Sequence, residues 1–152
     1  MGSSKAGALG YTWADGRLWQ ERFIPSPFIT ELIRDNESNV NSNNKKFLIR
    51  DVSLGEDHTL VLCSNQRDVY AFGKGGDSQL GLVGRPFVSA PVRCTKLSSS
   101  EIHAVCAVQS CSITLGAYGN VLNKVGKCRH ENVAQGIKEC IDRAREQKLI
   151  HE

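Results

Sequence analysis

The sequence predicts a mainly β fold, built from short antiparallel strands and followed by one amphipathic helix near the C-terminus. Three observations predict it. Strand-like runs alternate with turn signals about every ten residues, related segments recur about every 50 residues, and an apolar stripe at helical spacing follows residue 130. An antiparallel meander fits these strands better than β–α–β units, because such units need a helix between successive strands.

The composition is that of an ordinary globular protein. The chain has 152 residues, a net charge of +3 and 40% hydrophobic residues, which excludes collagen-like, coiled-coil and strongly disordered classes. The charges are balanced and the longest basic run is Lys45–Lys46, so direct contact with nucleic acid is not expected. The sequence has no membrane-spanning apolar stretch and no secretion signal. We therefore expect an intracellular protein without a membrane partner, in the cytoplasm or the nucleus.

Four features are predicted in the N-terminal part. Residues 1–10 are small and polar and predict a flexible lead. Asp15 and Gly16 lie between two β-prone runs and predict a hairpin turn. Residues 23–33, interrupted by two prolines, predict an edge strand or extended connection, and the Asn-rich residues 35–46 predict a loop insertion.

The clearest strands are predicted in the middle of the chain. Residues 47–54, 58–63 and 69–73 are rich in apolar and β-branched side chains, and polar turn residues separate them. Residues 73–84 contain five glycines, which predicts a loop that closes tightly on neighbouring backbone.

Residues 49–62 align with residues 102–115 at an offset of 53. The turn-and-strand segment 16–19 likewise aligns with 67–70 and with 119–122. Repeats of about 50 residues are four-stranded units such as propeller blades. Because closed propellers use about 4–8 blades, this chain predicts a partial β-propeller of two to three antiparallel blades, not a closed ring. The repeats would occupy residues 11–126, and the helix residues 127–152.

The unit at about 47–97 resembles a repeat of the regulator of chromosome condensation family. The family pattern reads G-x-x-H-[ST], then V-[YF]-x-[WF]-G, then G-Q-L-G and a proline. The flanking units are degraded, since Val108 and Cys111 stand where the glycine and histidine would be. The matching residues are interpreted as structural: Gly55, His58, Thr59, Tyr70, Phe72, Gly73, Gln79, Leu80, Gly81 and Pro91.

The resemblance implies a function class. Family members form propellers, and some are guanine nucleotide exchange factors for small GTPases, some bind chromatin, and many are interaction modules in larger proteins. We therefore expect a non-enzymatic interaction or scaffold module whose partners are proteins, either a small GTPase or subunits of a large complex. The alternatives are an exchange factor for a small GTPase, and a fragment or splice product of a longer repeat protein.

No catalytic, cofactor or metal site is predicted. Glu56, Asp57 and His58 are of the residue types found in hydrolytic sites, but no nucleophile motif accompanies them. The glycine-rich loop lacks the Gly-Lys-Ser/Thr of a phosphate loop.

The six cysteines include no C-x-x-C pair, so free buried thiols are expected. The alternative is a metal site formed by Cys128, His130 and Cys140, although their spacing matches no usual zinc pattern.

The C-terminal helix is predicted to run from Val133 to Leu149, with Asn132 as its N-cap. Its stripe either docks on the chain's own meander, as such stripes usually do, or inserts into a groove of a partner. The candidate partner-binding residues are Val133, Ile137, Cys140, Ile141 and Ala144.

Overall fold

The computed structural model describes residues 2–3, 19–20, 49–129 and 131–152. Two short strands, β1 (Gly2–Ser3) and β2 (Trp19–Gln20), pair with each other in antiparallel orientation. The hairpin turn predicted at Asp15 and Gly16, the extended segment 23–33 and the loop 35–46 lie outside the described residues, as does most of the predicted lead.

Two larger antiparallel sheets follow. The first has the order β3-β4-β5-β6 and the second the order β7-β8-β9, and neither closes into a ring. The fold is thus mainly β and consistent with a partial propeller, as predicted. The strands are β3 (Ile49–Leu54), β4 (His58–Cys63), β5 (Val69–Lys74), β6 (Phe87–Arg93), β7 (Ala104–Val108), β8 (Cys111–Leu115) and β9 (Val121–Gly126).

The two sheets repeat each other at the predicted offset of 53. His58 pairs with Gly73 in the first sheet, and Cys111 pairs with Gly126 in the second. Both glycines have positive φ, 109° and 90°, and each lies against a backbone carbonyl that a Cβ would strike. The sheets are therefore two copies of one unit, and in the described part of the chain the second copy has three strands where the first has four.

The predicted alignment of residues 119–122 with 67–70 agrees with the pairing of the strands. The amide of Cys63 donates to the carbonyl of Asp68, and the amide of its equivalent, Gly116, donates to the carbonyl of Asn120. Val69 pairs with Leu62, and Val121 pairs with Leu115. The turn of the second unit is therefore one residue shorter than the turn of the first.

The core has two parts because β7 contributes side chains to both faces of its sheet. Val105 and Ala107 belong to the cluster that the first sheet forms with Leu60, Leu62 and Val69. The alternate residues Ala104 and Cys106 belong to a second cluster with β8 and the C-terminal helix. The second sheet is therefore buried between the first sheet and the helix.

The C-terminal helix, α1, spans Glu131–Glu146. It begins two residues earlier than predicted, so Asn132 lies in its first turn and is not the cap. It ends earlier too, in a Schellman motif, where the amide of Leu149 donates to the carbonyl of Ala144 over 2.9 Å and Lys148 has a φ of 57°. No helix in the described part of the chain combines the length and apolarity needed to cross a bilayer.

Candidate functional site

The two sheets meet at a buried hydrogen-bonded seam. Nε2 of His58 on β4 lies 2.8 Å from the hydroxyl of Ser112 on β8, and that hydroxyl donates to the carbonyl of Gln79 over 2.5 Å. Since the hydroxyl proton points to the carbonyl, its oxygen accepts from His58, which fixes the proton of the ring on Nε2. Burial lowers the pKa of His58 to about 4.

This arrangement is structural and not that of a catalytic base. A base for Ser112 would need an unprotonated nitrogen facing the hydroxyl, but the facing Nε2 carries the proton. The other nitrogen, Nδ1, is buried without a hydrogen-bond partner in the described residues. His58 therefore joins two sheets, in agreement with its interpretation as a repeat residue.

The ring of His58 also explains why a glycine stands three residues before it. A Cβ on Gly55 would lie 2.5 Å from Nδ1 of His58 and 2.9 Å from the carbonyl oxygen of Gln109. Real Cβ atoms do not make such contacts, so only glycine fits here.

The loop residues of the repeat also make structural contacts. Buried Gln79 accepts a hydrogen bond from the amide of Asp77 over 2.9 Å, and Leu80 is part of the first core cluster. Gly81 has a φ of 66°, and a Cβ there would lie 2.7 Å from the sulfur of Cys94.

The strand residues of the repeat lie within the first sheet. Thr59, Tyr70 and Phe72 share the face turned away from the second sheet, because Thr59 pairs with Phe72 and their neighbours Leu60 and Ala71 face inward. Gly73 closes the β4–β5 pair, and Pro91 lies on β6, an edge strand where proline is tolerated.

Asp51 and Arg143 form a second link, between β3, β7 and α1. The carboxylate of Asp51 accepts from the amide of Val105 over 2.9 Å and from two guanidinium nitrogens of Arg143 over 2.8 and 3.2 Å. Arg143 also donates to the carbonyl of Val105 over 3.0 Å. The sequence had given Arg143 no partner, and nothing in the spacing of the two residues pointed to the other.

A groove of about 490 Å³ lies beside this ion pair. Its walls are the C-terminal ends of β3 and β7 and one face of α1. The apolar wall includes Val52 and Leu54, which are 44% and 71% exposed, and the opposite rim carries the charged side chains of Glu139 and Arg143.

Four of the six cysteines form disulfides, which corrects the expectation of free thiols. Cys106 on β7 is bonded to Cys140 on α1, with 5.9 Å between their Cα atoms. Cys111 on β8 is bonded to Cys128 after β9, with 4.9 Å between the Cα atoms. These partners are 34 and 17 residues apart in sequence, so no local spacing motif identified them.

The two remaining cysteines, Cys63 and Cys94, are free and buried. Burial raises the pKa of Cys63 to about 12 and also raises the pKa of Cys94, so both act as small apolar side chains. The alternative metal site loses two of its three candidate ligands, because Cys128 and Cys140 belong to different disulfides. The third, His130, lies outside the described residues. No group of three or more potential metal ligands occurs among residues that the structure describes.

The apolar stripe of α1 packs onto the chain's own second sheet. Val133 and Ala144 are fully buried there, and Ile137, Cys140 and Ile141 pack against the same cluster. A partner that bound these five residues would have to displace the helix from its sheet. Their partner-binding role thus remains a prediction. The contacts show that the helix docks on the second sheet of the same chain.

Comparison with known proteins agrees with this architecture. The two sheets and the seam define an open array of propeller blades. Residues 49–79 match the model of the "Regulator of chromosome condensation (RCC1) repeat" family, so the chain contains one repeat of this type, as its sequence had indicated.

Among solved structures, the chain is similar to human WBSCR16, with 19% identity and a TM-score of 0.57. The similarity covers 85% of this chain and 29% of that one. At this identity it shows the fold alone.

Proposed function

We propose that the chain is a non-enzymatic protein-interaction module that works within a larger assembly. The observation that carries this proposal is the exposed apolar wall of the groove. Val52 and Leu54 lie on β3, an edge strand of the first sheet, and edge strands with exposed apolar side chains are surfaces to which other chains bind.

The backbone of β3 supports the same proposal. The amide of Gly55 donates to the carbonyl of His58 over 2.9 Å, and hydrogen-bonded pairs alternate along an antiparallel ladder. By this alternation the backbone groups of Leu54 point away from β4, toward the free edge. A partner at the groove would meet apolar side chains together with a carbonyl and an amide that no strand of the described part of the chain pairs.

The partner class follows from the shape and charge of the groove. A volume of about 490 Å³ accommodates apolar side chains of a partner, and aromatic or aliphatic anchors of this kind dominate protein interfaces. The exposed rim residue Glu139 would orient polar groups of the partner. We therefore propose a protein partner, either a small GTPase or a subunit of a larger complex.

A non-enzymatic role is supported by the seam. His58 and Ser112, the buried histidine and hydroxyl that lie close together, are committed to a structural hydrogen-bond chain. Nucleotide exchange on a small GTPase remains the alternative that the family resemblance raises, with no residue of the described part pointing to it.

The proposed location is inside the cell, in the cytoplasm or the nucleus, and it rests on the resemblance. Disulfides persist mainly in oxidising compartments, which weighs against this location. Alkylation of free thiols after acid quenching and denaturation of the cells would test it, since denaturation exposes the buried Cys63 and Cys94. Two alkylated cysteines per chain indicate that both disulfides exist there, and six indicate a reducing compartment.

Affinity capture with matched variants tests the function. Leu54→Asp places a charge in the groove wall, whereas Val83→Asp places one at a loop residue that is 87% exposed and does not line the groove. We expect the wild type and Val83→Asp to capture the same stoichiometric protein partner, and Leu54→Asp to lose it. Equal capture by both variants would reject the groove as the binding surface.

A nucleotide-release assay on a panel of small GTPases separates the two functions. A pure interaction module leaves the release rate unchanged. Acceleration by the isolated chain, lost in Leu54→Asp, would replace the proposed function with nucleotide exchange.

A further inference from the structure

We propose that the free edge of β9 binds an extended, acidic segment of a partner protein as a fourth strand of the second sheet. This inference rests on the proposed interaction function and adds to it a second surface and a kind of partner. The edge lies on a different sheet from the edge strand β3 that lines the groove.

The first sheet shows how a fourth strand pairs with the third strand of the same repeat unit. There β6 pairs with β5, with Ala71 opposite Val92 and Gly73 opposite Val88, and the amide of Cys94 donates to the carbonyl of Val69 over 2.7 Å. At the offset of 53, the equivalents of Ala71 and Gly73 are Lys124 and Gly126 on β9. Among the residues that the structure describes, none forms a fourth strand there, and the residues equivalent to β6 form part of α1.

The hydrogen-bond alternation along β9 identifies the unpaired groups. The amide of Lys127 donates to the carbonyl of Ser110 over 3.0 Å, so Val125 and Asn123 direct their backbone groups to β8. Lys124 therefore directs its amide and carbonyl away from the sheet. In the part of the chain that the structure describes, β9 pairs with β8 alone.

The side chains on this edge suit an acidic strand. Lys124 and Arg129 are exposed, and Lys127, whose side chain is 73% exposed, pairs with Asp77. The apolar side chains of Val121 and Leu122 are 48% and 38% exposed next to them. A segment that alternates acidic and β-branched residues would match both features.

The same charges disfavour a second copy of this chain as the occupant. If two β9 edges paired in antiparallel orientation with Lys124 of one copy opposite Lys124 of the other, like charges would face each other across the strand pair, which is destabilising. Lysines on edge strands are a known protection against such self-association.

Selection of peptides tests the proposal. The probe is a displayed library of random ten-residue peptides, selected on the full chain. We expect the selected peptides to be rich in Asp or Glu and in Val, Ile or Thr, and to protect the amide of Lys124 from hydrogen exchange. Selection of no peptide, or protection confined to other strands, would overturn the proposal.

Two variants of Lys124 sharpen the test. Lys124→Pro removes an amide that faces outward on an edge strand, where proline is tolerated, and Lys124→Glu reverses the charge without altering the backbone. Each should weaken binding of the selected peptides by about tenfold, the effect of one hydrogen bond or ion pair. Unchanged binding to both variants, or a wild-type dimer that Lys124→Pro dissociates, would refute an acidic peptide at this edge.

The experiments distinguish failure of the β9 proposal from failure of the proposed function. Capture that Leu54→Asp abolishes and Lys124→Pro preserves, combined with no peptide binding at β9, rejects the β9 edge and retains the groove. Peptide binding at β9 together with unchanged capture by Leu54→Asp retains the edge and rejects the groove.

Discussion

Nε2 of His58 in the first sheet and the hydroxyl of Ser112 in the second are joined by a buried hydrogen bond of 2.8 Å. This bond links equivalent strands of two successive blades, because β4 and β8 occupy the same place in the repeat. Because the ring is buried and its Nδ1 has no hydrogen-bond partner among the described residues, the neutral form is favoured, which makes the stability of the pair of sheets dependent on pH.

The first prediction concerns that pH dependence. Burial lowers the pKa of His58 from 6.5 to about 4, so the unfolded chain takes up the proton first as the pH falls. The stabilising effect is fully present above pH 6.5 and is lost between that value and about pH 4. Over this range the free energy of unfolding should fall by about 3 kcal/mol from His58 alone.

Urea unfolding at a series of pH values from 7 to 4.5 measures this effect. His58→Gln is the control, since glutamine does not titrate and should lose the contribution of the histidine to the slope. If the variant and the wild type lose stability in parallel as the pH falls, the lowered pKa of His58 is not responsible.

The second prediction concerns the glycine against the histidine ring. Gly55→Ala should lower the free energy of unfolding by about 1–3 kcal/mol, because the new methyl group overlaps the ring of His58 and the carbonyl of Gln109. Gly76→Ala is the matched control, since a Cβ at Gly76 meets no atom within 4 Å, and its effect should stay within about 0.5 kcal/mol. Equal effects of the two changes, measured by thermal or urea unfolding, would contradict the steric explanation.

The third prediction concerns the glycine inside α1. On helix propensity alone, Gly136→Ala should stabilise by about 1 kcal/mol. However, its Cβ would lie 3.0 Å from one methyl carbon of Val108 and even closer to the other, so we expect a net destabilisation of about 1–2 kcal/mol.

A double-mutant cycle with Val108→Ala checks this reason. Truncation of Val108 removes the clash, so Gly136→Ala should be stabilising, or at least neutral, in that background. A stabilising effect of Gly136→Ala in the wild-type background would show that the helix does not lie this close to β7.

The fourth prediction concerns the disulfide that holds α1. Replacing both Cys106 and Cys140 by alanine should lower the free energy of unfolding by about 3–4 kcal/mol, the effect of opening a loop with a separation of 34 residues. Hydrogen exchange of the α1 amides should accelerate, because the crosslink between helix and sheet is lost.

The pair Cys111 and Cys128 is the comparison, since it closes a shorter loop, with a separation of 17 residues, and lies between β8 and the segment after β9. Replacing both cysteines of this pair should lower the free energy of unfolding by about 3 kcal/mol. Hydrogen exchange in the central turns of α1 should accelerate less than after replacement of Cys106 and Cys140. No change in α1 exchange after removal of the Cys106–Cys140 bond would show that packing alone holds the helix.

The sequence was informative wherever neighbouring residues decide the structure. The strands β3, β4 and β5 were predicted within two residues of their observed bounds, because apolar alternation and turn residues are local signals. The offset of 53 identified the second sheet, and the spacing of Gly55 and His58 identified the repeat. The helix was predicted from its stripe, although its bounds were shifted because its capping residues were misassigned.

Contacts between residues that are distant in the sequence were known only from the tertiary structure. It paired Cys106 with Cys140 and Asp51 with Arg143, and it placed Val52 and Leu54 on the wall of a groove. It also showed that Gly136 is required for close packing on Val108, where the sequence indicated only a weak helix position. Such contacts depend on the distance between elements in space, whereas periodicity and spacing report only the local path of the chain and the face to which each side chain points.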